Sequence, residues 1–255
     1  MGILYHLQVG CANLTIIKAF SGTILIDCFN IERYKSLLSA NKFIKAVFIT
    51  HQHYDHFLGL KYLRDNNFTI EYIICSPYVR RSGDGSVQYE EWRDFENFLA
   101  YFKRMGTAVI TPFRQESLSL PWWYIDNLSF RILGPAKFIA ESESRELHDA
   151  SLVMLVTLGS RKCCFTGDAS DKSLSWIAEN TFNYCNDILH ASNHGSLYGA
   201  NLEFIKGANA RHTIISTESG LYKEVPHPIA IKRYYEYTKV KVHRTDLDGT
   251  VEMYY

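Results

Sequence analysis

Ala46-Val47-Phe48-Ile49-Thr50-His51-Gln52-His53-Tyr54-Asp55-His56 is the stretch that decides the fold. The run Ala46 to Thr50 is apolar without alternation, as in a strand buried on both faces. It leads directly into three histidines and an aspartate within six positions. A strand end followed by a tight loop lets such side chains converge without long reach. The helix expected from Phe57 to Asn66 then fixes His56 from the other side. Imidazole and carboxylate are the ligands of zinc, iron or manganese. His51 and His53 can share one ion, and Asp55 and His56 a second, in a two-metal arrangement. The competing reading is a surface loop that happens to be histidine-rich.

Working outward, the apolar runs Ile3–Val9, Leu14–Phe20 and Thr23–Asp27 read as strands, the last two joined by a hairpin at Ser21-Gly22. Helical spacing is expected over Ile31–Ala40 and Val87–Met105. The stripe Trp92, Phe95, Phe98, Leu99 and Phe102 reads as core, with Gly106 as the stop. Ile70–Cys75 is a strand, and the aromatic segment Pro112–Ala136 holds short strands, Phe130–Leu133 the clearest.

The second half repeats this rhythm. A hairpin turns at Gly159-Ser160 between Ser151–Leu158 and Lys162–Thr166, and a helix Lys172–Asn180 follows. Further on come the strands Ile188–Ala191 and His212–Ser216, the helical piece Leu202–Lys206, the helix Ile229–Tyr237, and the terminal strands Val240–His243 and Thr250–Tyr254. Thr245–Gly249 reads as a turn between the last two. Two strand-then-helix halves can stack their sheets face to face with helices outside, a four-layer αββα sandwich. No linker interrupts the chain, so residues 1–255 are expected to form one domain.

Two metals need more ligands than one loop supplies. Asp168, in Thr166-Gly167-Asp168, reads as a turn residue capping the next helix or as a carboxylate bridging both ions. The presence of the first cluster favours the bridge. His194, in Asn193-His194-Gly195-Ser196, follows a strand end at a Gly-Ser turn, a place that exposes an imidazole. His190 lies on the strand itself and is expected to be packed. His148 precedes a strand and either completes the first metal or is a solvated loop residue. His227 stands between Pro226 and Pro228, which stiffen the backbone and remove two amide donors; it sits at a cleft rim or in a plain rigid turn.

The 255 residues are 47% hydrophobic and 21% charged with zero formal net charge, so no global pull toward nucleic acid or membrane is expected. The six cysteines, Cys11, Cys28, Cys75, Cys163, Cys164 and Cys185, form no C-x-x-C pair and read as reduced thiols. The N-terminus has no basic region followed by an apolar core, and no stretch approaches the ~20 apolar residues of a membrane span. A soluble cytoplasmic protein with no membrane contact is expected.

The segment Thr50 to His56 resembles the H-x-H-x-D-H motif of the metallo-β-lactamase superfamily. The later order Ser151-Leu152-Val153, Thr166-Gly167-Asp168, His194-Gly195-Ser196, His227-Pro228 and Thr245-Asp246 to Gly249 is similar to the β-lactamase-like domain of the ComEC DNA-uptake proteins, over nearly the whole chain. The resemblance implies the metallo-β-lactamase sandwich and a metal set of His51, His53, Asp55, His56, Asp168 and His194. His148 stands where that branch often has asparagine and other members have a ligand histidine. The chain departs from the branch at Asn193, where a histidine is usual, and at Gly10-Cys11-Ala12-Asn13, which replaces a turn of glycine and aspartate. It also lacks the membrane helices of the uptake proteins.

The resemblance implies phosphodiester hydrolysis of DNA or RNA by two divalent ions, zinc or else manganese. Asp55 would orient the water, and His227, with His148 second, would assist the leaving oxygen. Arg80-Arg81, beside Gly83 and Gly85, is a candidate phosphate contact. Tyr78, Tyr89 and Trp92 lie near enough in sequence to stack on bases. Lys103-Arg104 reads as ordinary solvated charge. Hydrolysis of a small molecule (a cyclic nucleotide, lactone or thioester) is the alternative, and a non-catalytic subunit of a larger assembly is the third reading.

Overall fold

In the computed structural model, which describes residues 2–255, strand Phe43–Ile49 lies inside its sheet with apolar layers on both sides. Val47 and Ile49 pack into the core beneath one helical layer. Ala46 and Phe48 pack into the core that the two sheets share. Burial on both faces is why the run carries no polar alternation.

The first sheet is built from β1 (Ile3–His6), β2 (Thr15–Ala19), β3 (Gly22–Ile26), β4 (Phe43–Ile49), β5 (Thr69–Cys75) and β6 (Ala108–Ile110). The second holds β7 (Trp123–Ile125), β8 (Leu128–Gly134), β9 (Val153–Leu158), β10 (Arg161–Phe165), β11 (Ile188–His190), β12 (His212–Ile215) and β13 (Lys241–Arg244). The last strand, β14 (Val251–Tyr254), returns to the first sheet and pairs antiparallel with β1. The strand orders are β14-β1-β2-β3-β4-β5-β6 and β13-β12-β11-β10-β9-β8-β7. Phe48 stacks on Phe130 across the sandwich at 5.0 Å between ring centroids. Helices cover the outer faces through two further apolar clusters, which gives the expected αββα layering.

Several local expectations change. Ile31–Leu37 is a 3-10 helix kinked at Tyr34, not an α-helix reaching Ala40. The helix after the histidine cluster starts earlier and breaks in two, Tyr54–Phe57 and Gly59–Asp65, so Asp55 and His56 stand on a helical turn. The strand β6 has only three residues, too few for an alternation pattern to show. Trp92 is half-buried, while Phe95, Phe98, Leu99 and Phe102 are core. Thr245–Asp248 is a short helix that carries the chain from the edge of one sheet to the edge of the other, rather than a turn between paired strands. No helix among the described residues is long and apolar enough to cross a membrane.

His6 and His190 face each other between the sheets at 5.5 Å, each against Phe165 at 5.9 Å. Burial pushes His6 well down, and burial together with nearby His194 pushes His190 down to about 3. An unfolded histidine takes up a proton near pH 6.5, while folded His190 stays neutral. Below pH 6.5 the unfolded state therefore binds more protons, and stability falls until the folded value is reached. Between pH 7 and 5 His190 is expected to remove about 2 kcal/mol. Urea midpoints at both pH values should show a larger acid loss for wild type than for His190→Phe; equal losses would contradict this account.

Candidate metal centre

The loop after β4 is pinned by its backbone. Asn13 N–H donates to Asp55 O at 3.1 Å and Cys28 N–H to His56 O at 2.8 Å. Asp168 follows the end of β10 and His194 the end of β11. All three segments leave the carboxyl ends of parallel strands, the usual place for sites in such sheets. His194 and Asn193 both have left-handed backbones, φ 52° and 50°. That turn aims the His194 ring inward, so it is buried rather than exposed as its Gly-Ser setting suggests.

The seven residues proposed as ligands come together. His51, His53 and His148 form one group, Asp55, His56 and His194 another, and Asp168 joins His51 and His56 in a third. Within each group the ligand atoms lie within 4.8 Å of one another. Asp168 Oδ1 is 3.4 Å from His56 Nε2, and Oδ2 is 3.5 Å from His194 Nε2 and 3.9 Å from His51 Nε2. Asp168 thus stands where a bridging carboxylate belongs. His148 joins His51 and His53, so it is no solvated loop residue.

The far side of most rings is fixed by a partner. His56 Nδ1 donates to Asp27 Oδ2 at 2.8 Å, His194 Nδ1 to Ser216 O at 2.9 Å, and His53 Nε2 to Ser86 O at 3.1 Å. These bonds leave His56 Nε2, His194 Nε2 and His53 Nδ1 as lone-pair atoms facing the cluster, the arrangement that orients metal ligands. Asp27 is itself held by Thr50, through N–H at 2.8 Å and Oγ1 at 2.9 Å. His56 Nε2, His148 Nε2, Asp168 Oδ1 and His194 Nε2 are buried without a hydrogen bond. Buried polar atoms are ordinarily paired, so lone pairs converging here fit divalent cations.

Without a cation, the imidazoles and carboxylates of the cluster compensate one another. Burial alone would lower His56, but Asp168, Asp27 and Asp55 raise it well above the ordinary imidazole range. Burial would raise Asp168, yet the imidazoles of His194, His56 and His51 hold it well below the usual carboxylate range. Burial, then His56, drives His51 well down.

Asp27 and Ser86 were not singled out in the sequence. Asp27 had a signal, a carboxylate closing an apolar strand. Ser86 had none, because its role is a backbone carbonyl. Loss of such an outer partner typically costs 10–100-fold in metal affinity. We expect Asp27→Ala to weaken metal binding by about that factor, read by competition with a chromogenic chelator; unchanged affinity would remove Asp27 from the site.

The expected phosphate contacts are largely engaged elsewhere. Arg80 donates to the carbonyls of Asp84 and Val87, and Arg81 to those of Glu141 and Ser142. Tyr78 is buried with its hydroxyl on Asp84, so it offers no face to a base. Tyr89 is exposed and lies beneath Arg80 and Arg93. His227 caps the helix Pro228–Tyr237, its Nδ1 accepting from Ile229 N–H at 3.1 Å. Its own N–H reaches Gly195 O at 2.9 Å, which ties it to the turn that carries His194.

Comparison with known proteins follows the same lines. The family model described as "Metallo-beta-lactamase superfamily" matches residues 12–113, and no curated protein sequence gives a significant match. Among solved structures, the metallo-beta-lactamase fold protein YhfI from Bacillus subtilis is similar over 99% of this chain and 100% of its own, at 15% identity and TM-score 0.60. CmlA, a diiron beta-hydroxylase from Streptomyces venezuelae, aligns over all of this chain but 54% of its own, at 15% identity and TM-score 0.61. A diphosphatase from the PhnP family aligns over 99% and 98%, at 14% identity and TM-score 0.54. With its two helix-flanked sheets and the His51–His56 loop inside the matched segment, the chain has the fold of the metallo-β-lactamase superfamily.

Proposed function

We propose that the protein is a metal-dependent phosphodiester hydrolase. The observation that carries this reading is the sulfur-free set of five imidazoles and two carboxylates, in two groups that share Asp168 between them. Such donors suit zinc first and manganese second. His51, His53 and His148 would hold one ion, Asp55, His56 and His194 the other. When bound, such ions stabilise charge on an attacked phosphate and acidify water.

The chain's own groups supply the rest. Asp55 is the more exposed of the two carboxylates, at 28% against 5% for Asp168, so it can orient an attacking water. His227 accepts an amide proton at Nδ1, which places the ring's own proton on Nε2 when neutral. That proton can serve the leaving oxygen.

Nucleic acid as substrate rests on the ordered motifs similar to the ComEC-type domain. A small phosphodiester is the second reading, favoured by the engagement of Arg80 and Arg81 with carbonyls. The diphosphatase shares the fold, which supports phosphoryl chemistry; CmlA, named as a diiron beta-hydroxylase, supplies the oxidative rival. The six buried free cysteines fit the cytoplasm, and the apolar layer shared by both sheets supports a single domain over residues 1–255.

The test is chelation followed by metal return. Hydrolysis of bis(p-nitrophenyl) phosphate, or of single- or double-stranded DNA or RNA, should vanish on chelation and return with zinc or manganese. Elemental analysis should then find about two ions per chain. Hydrolysis indifferent to chelation, or protein isolated with iron and inert toward every diester, would overturn the reading.

A further inference from the structure

A cleft of about 620 Å³ opens beside His148, between the glycine-rich loop 81–86 and the segment 143–148. It abuts the metal centre at His148, which lines it and groups with His51 and His53.

The walls are built, not incidental. Ser86 joins three parts: its carbonyl accepts His53 Nε2, its hydroxyl donates to Asp84 Oδ1 at 2.7 Å, and the same oxygen accepts Leu147 N–H at 2.9 Å. Arg81 bonds the opposite wall through the Glu141 and Ser142 carbonyls. Arg145 is buried, lies over the Tyr78 ring at 5.2 Å and bonds Val79 O. Gly83 and Gly85 have open space where a side chain would project, so the floor of the loop is accessible.

Charge in the cleft runs opposite to what a polyphosphate needs. Asp84, Glu143 and Glu146 line it against Arg81 and Arg145, and both guanidiniums already serve protein carbonyls. Asp84 is engaged by Tyr78 and Ser86. Among the described residues, the side chains of Ser82, Glu143 and Ser144 line the cleft without a hydrogen bond to protein. What remains for a ligand is one exposed carboxylate, Glu143, and two hydroxyls that can accept or donate, in a cleft where three carboxylates outnumber two guanidiniums.

We propose that this cleft receives the non-reacting arm of the substrate, and that it takes an arm bearing hydroxyl or ammonium donors, not a second phosphate. This rests on the phosphodiester reading above. A neighbouring phosphate would meet Glu143 at like charge in a cleft whose carboxylates outnumber its guanidiniums, whereas an ammonium or hydroxyl arm would pair with the Glu143 carboxylate.

The test compares kcat/KM of the zinc-loaded protein on glycerophosphoethanolamine and on a short single-stranded oligonucleotide, at one low ionic strength. Wild type should favour the first by about tenfold or more. Glu143→Lys, on an exposed residue, should move that ratio about five- to tenfold toward the oligonucleotide. A wild-type ratio near one or favouring the oligonucleotide, or a ratio unmoved by Glu143→Lys, overturns this inference alone. Turnover of bis(p-nitrophenyl) phosphate but of neither of these substrates also overturns this inference alone; turnover of no diester overturns the phosphodiester reading and this inference with it.

Discussion

Asp168→Ala is expected to lower kcat/KM on whichever diester the wild type turns over by on the order of a thousandfold or more, and to release at least one metal ion per chain. The carboxylate approaches His51, His56 and His194 within 3.9 Å. Without it the carboxylate left in the cluster is Asp55, on the His56 and His194 side, and two cations placed there would lose the anion that screens one from the other. Asp168→Asn keeps the shape and removes the charge, so it should reproduce most of the loss. Elemental analysis beside steady-state kinetics gives the answer. Either variant within tenfold of wild type and fully metal-loaded would mean that Asp168 bridges nothing and is only the turn residue before the next helix.

Gly59→Ala should give the largest loss of stability, about 4 kcal/mol or more, with a thermal midpoint far below wild type or no soluble protein at all. A Cβ on Gly59 would lie 1.6 Å from the Cys28 carbonyl oxygen and 3.0 Å from Ile31 Cγ2. The first contact is with backbone, which cannot rotate aside. The same Cys28 donates its N–H to His56 O and its thiol to Phe57 O, so relieving the clash would drag the ligand loop away from β3. A variant that melts with wild type would show that the helix Gly59–Asp65 can shift freely, and with it that the loop is less firmly seated than these bonds imply.

What could be read from the sequence follows the range of the forces involved. The run Ala46 to Thr50 and the histidines after it were legible because strand burial and ligand spacing are local patterns. Asp168 and His194 were legible because each follows an apolar strand end, whereas His148, which precedes a strand, left two readings open. Asp27 and Ser86 act through contacts 29 and 33 residues distant in the chain; a carboxylate closing an apolar strand marks Asp27 without naming its partner, and nothing local marks Ser86. The arginines of the loop 81–86 illustrate the opposite error. A guanidinium beside glycines looks available for phosphate until the structure shows which carbonyls it already serves.

The return of β14 to β1 has a consequence for how this protein is made. The pairing of Ile3 with Tyr254 and of His6 with Val251 joins two strands that leave the ribosome far apart in time. The first half emerges with the outer edge of β1 unpaired, and that edge stays open until the whole second half has been synthesised and folded. Contacts of such sequence separation form slowly, and an open strand edge is a template for pairing with other chains. The histidine loop is made well before β14, but the sheet that supports it closes only when β14 has been added, which makes the nascent first half the species most exposed to aggregation and to chaperone capture.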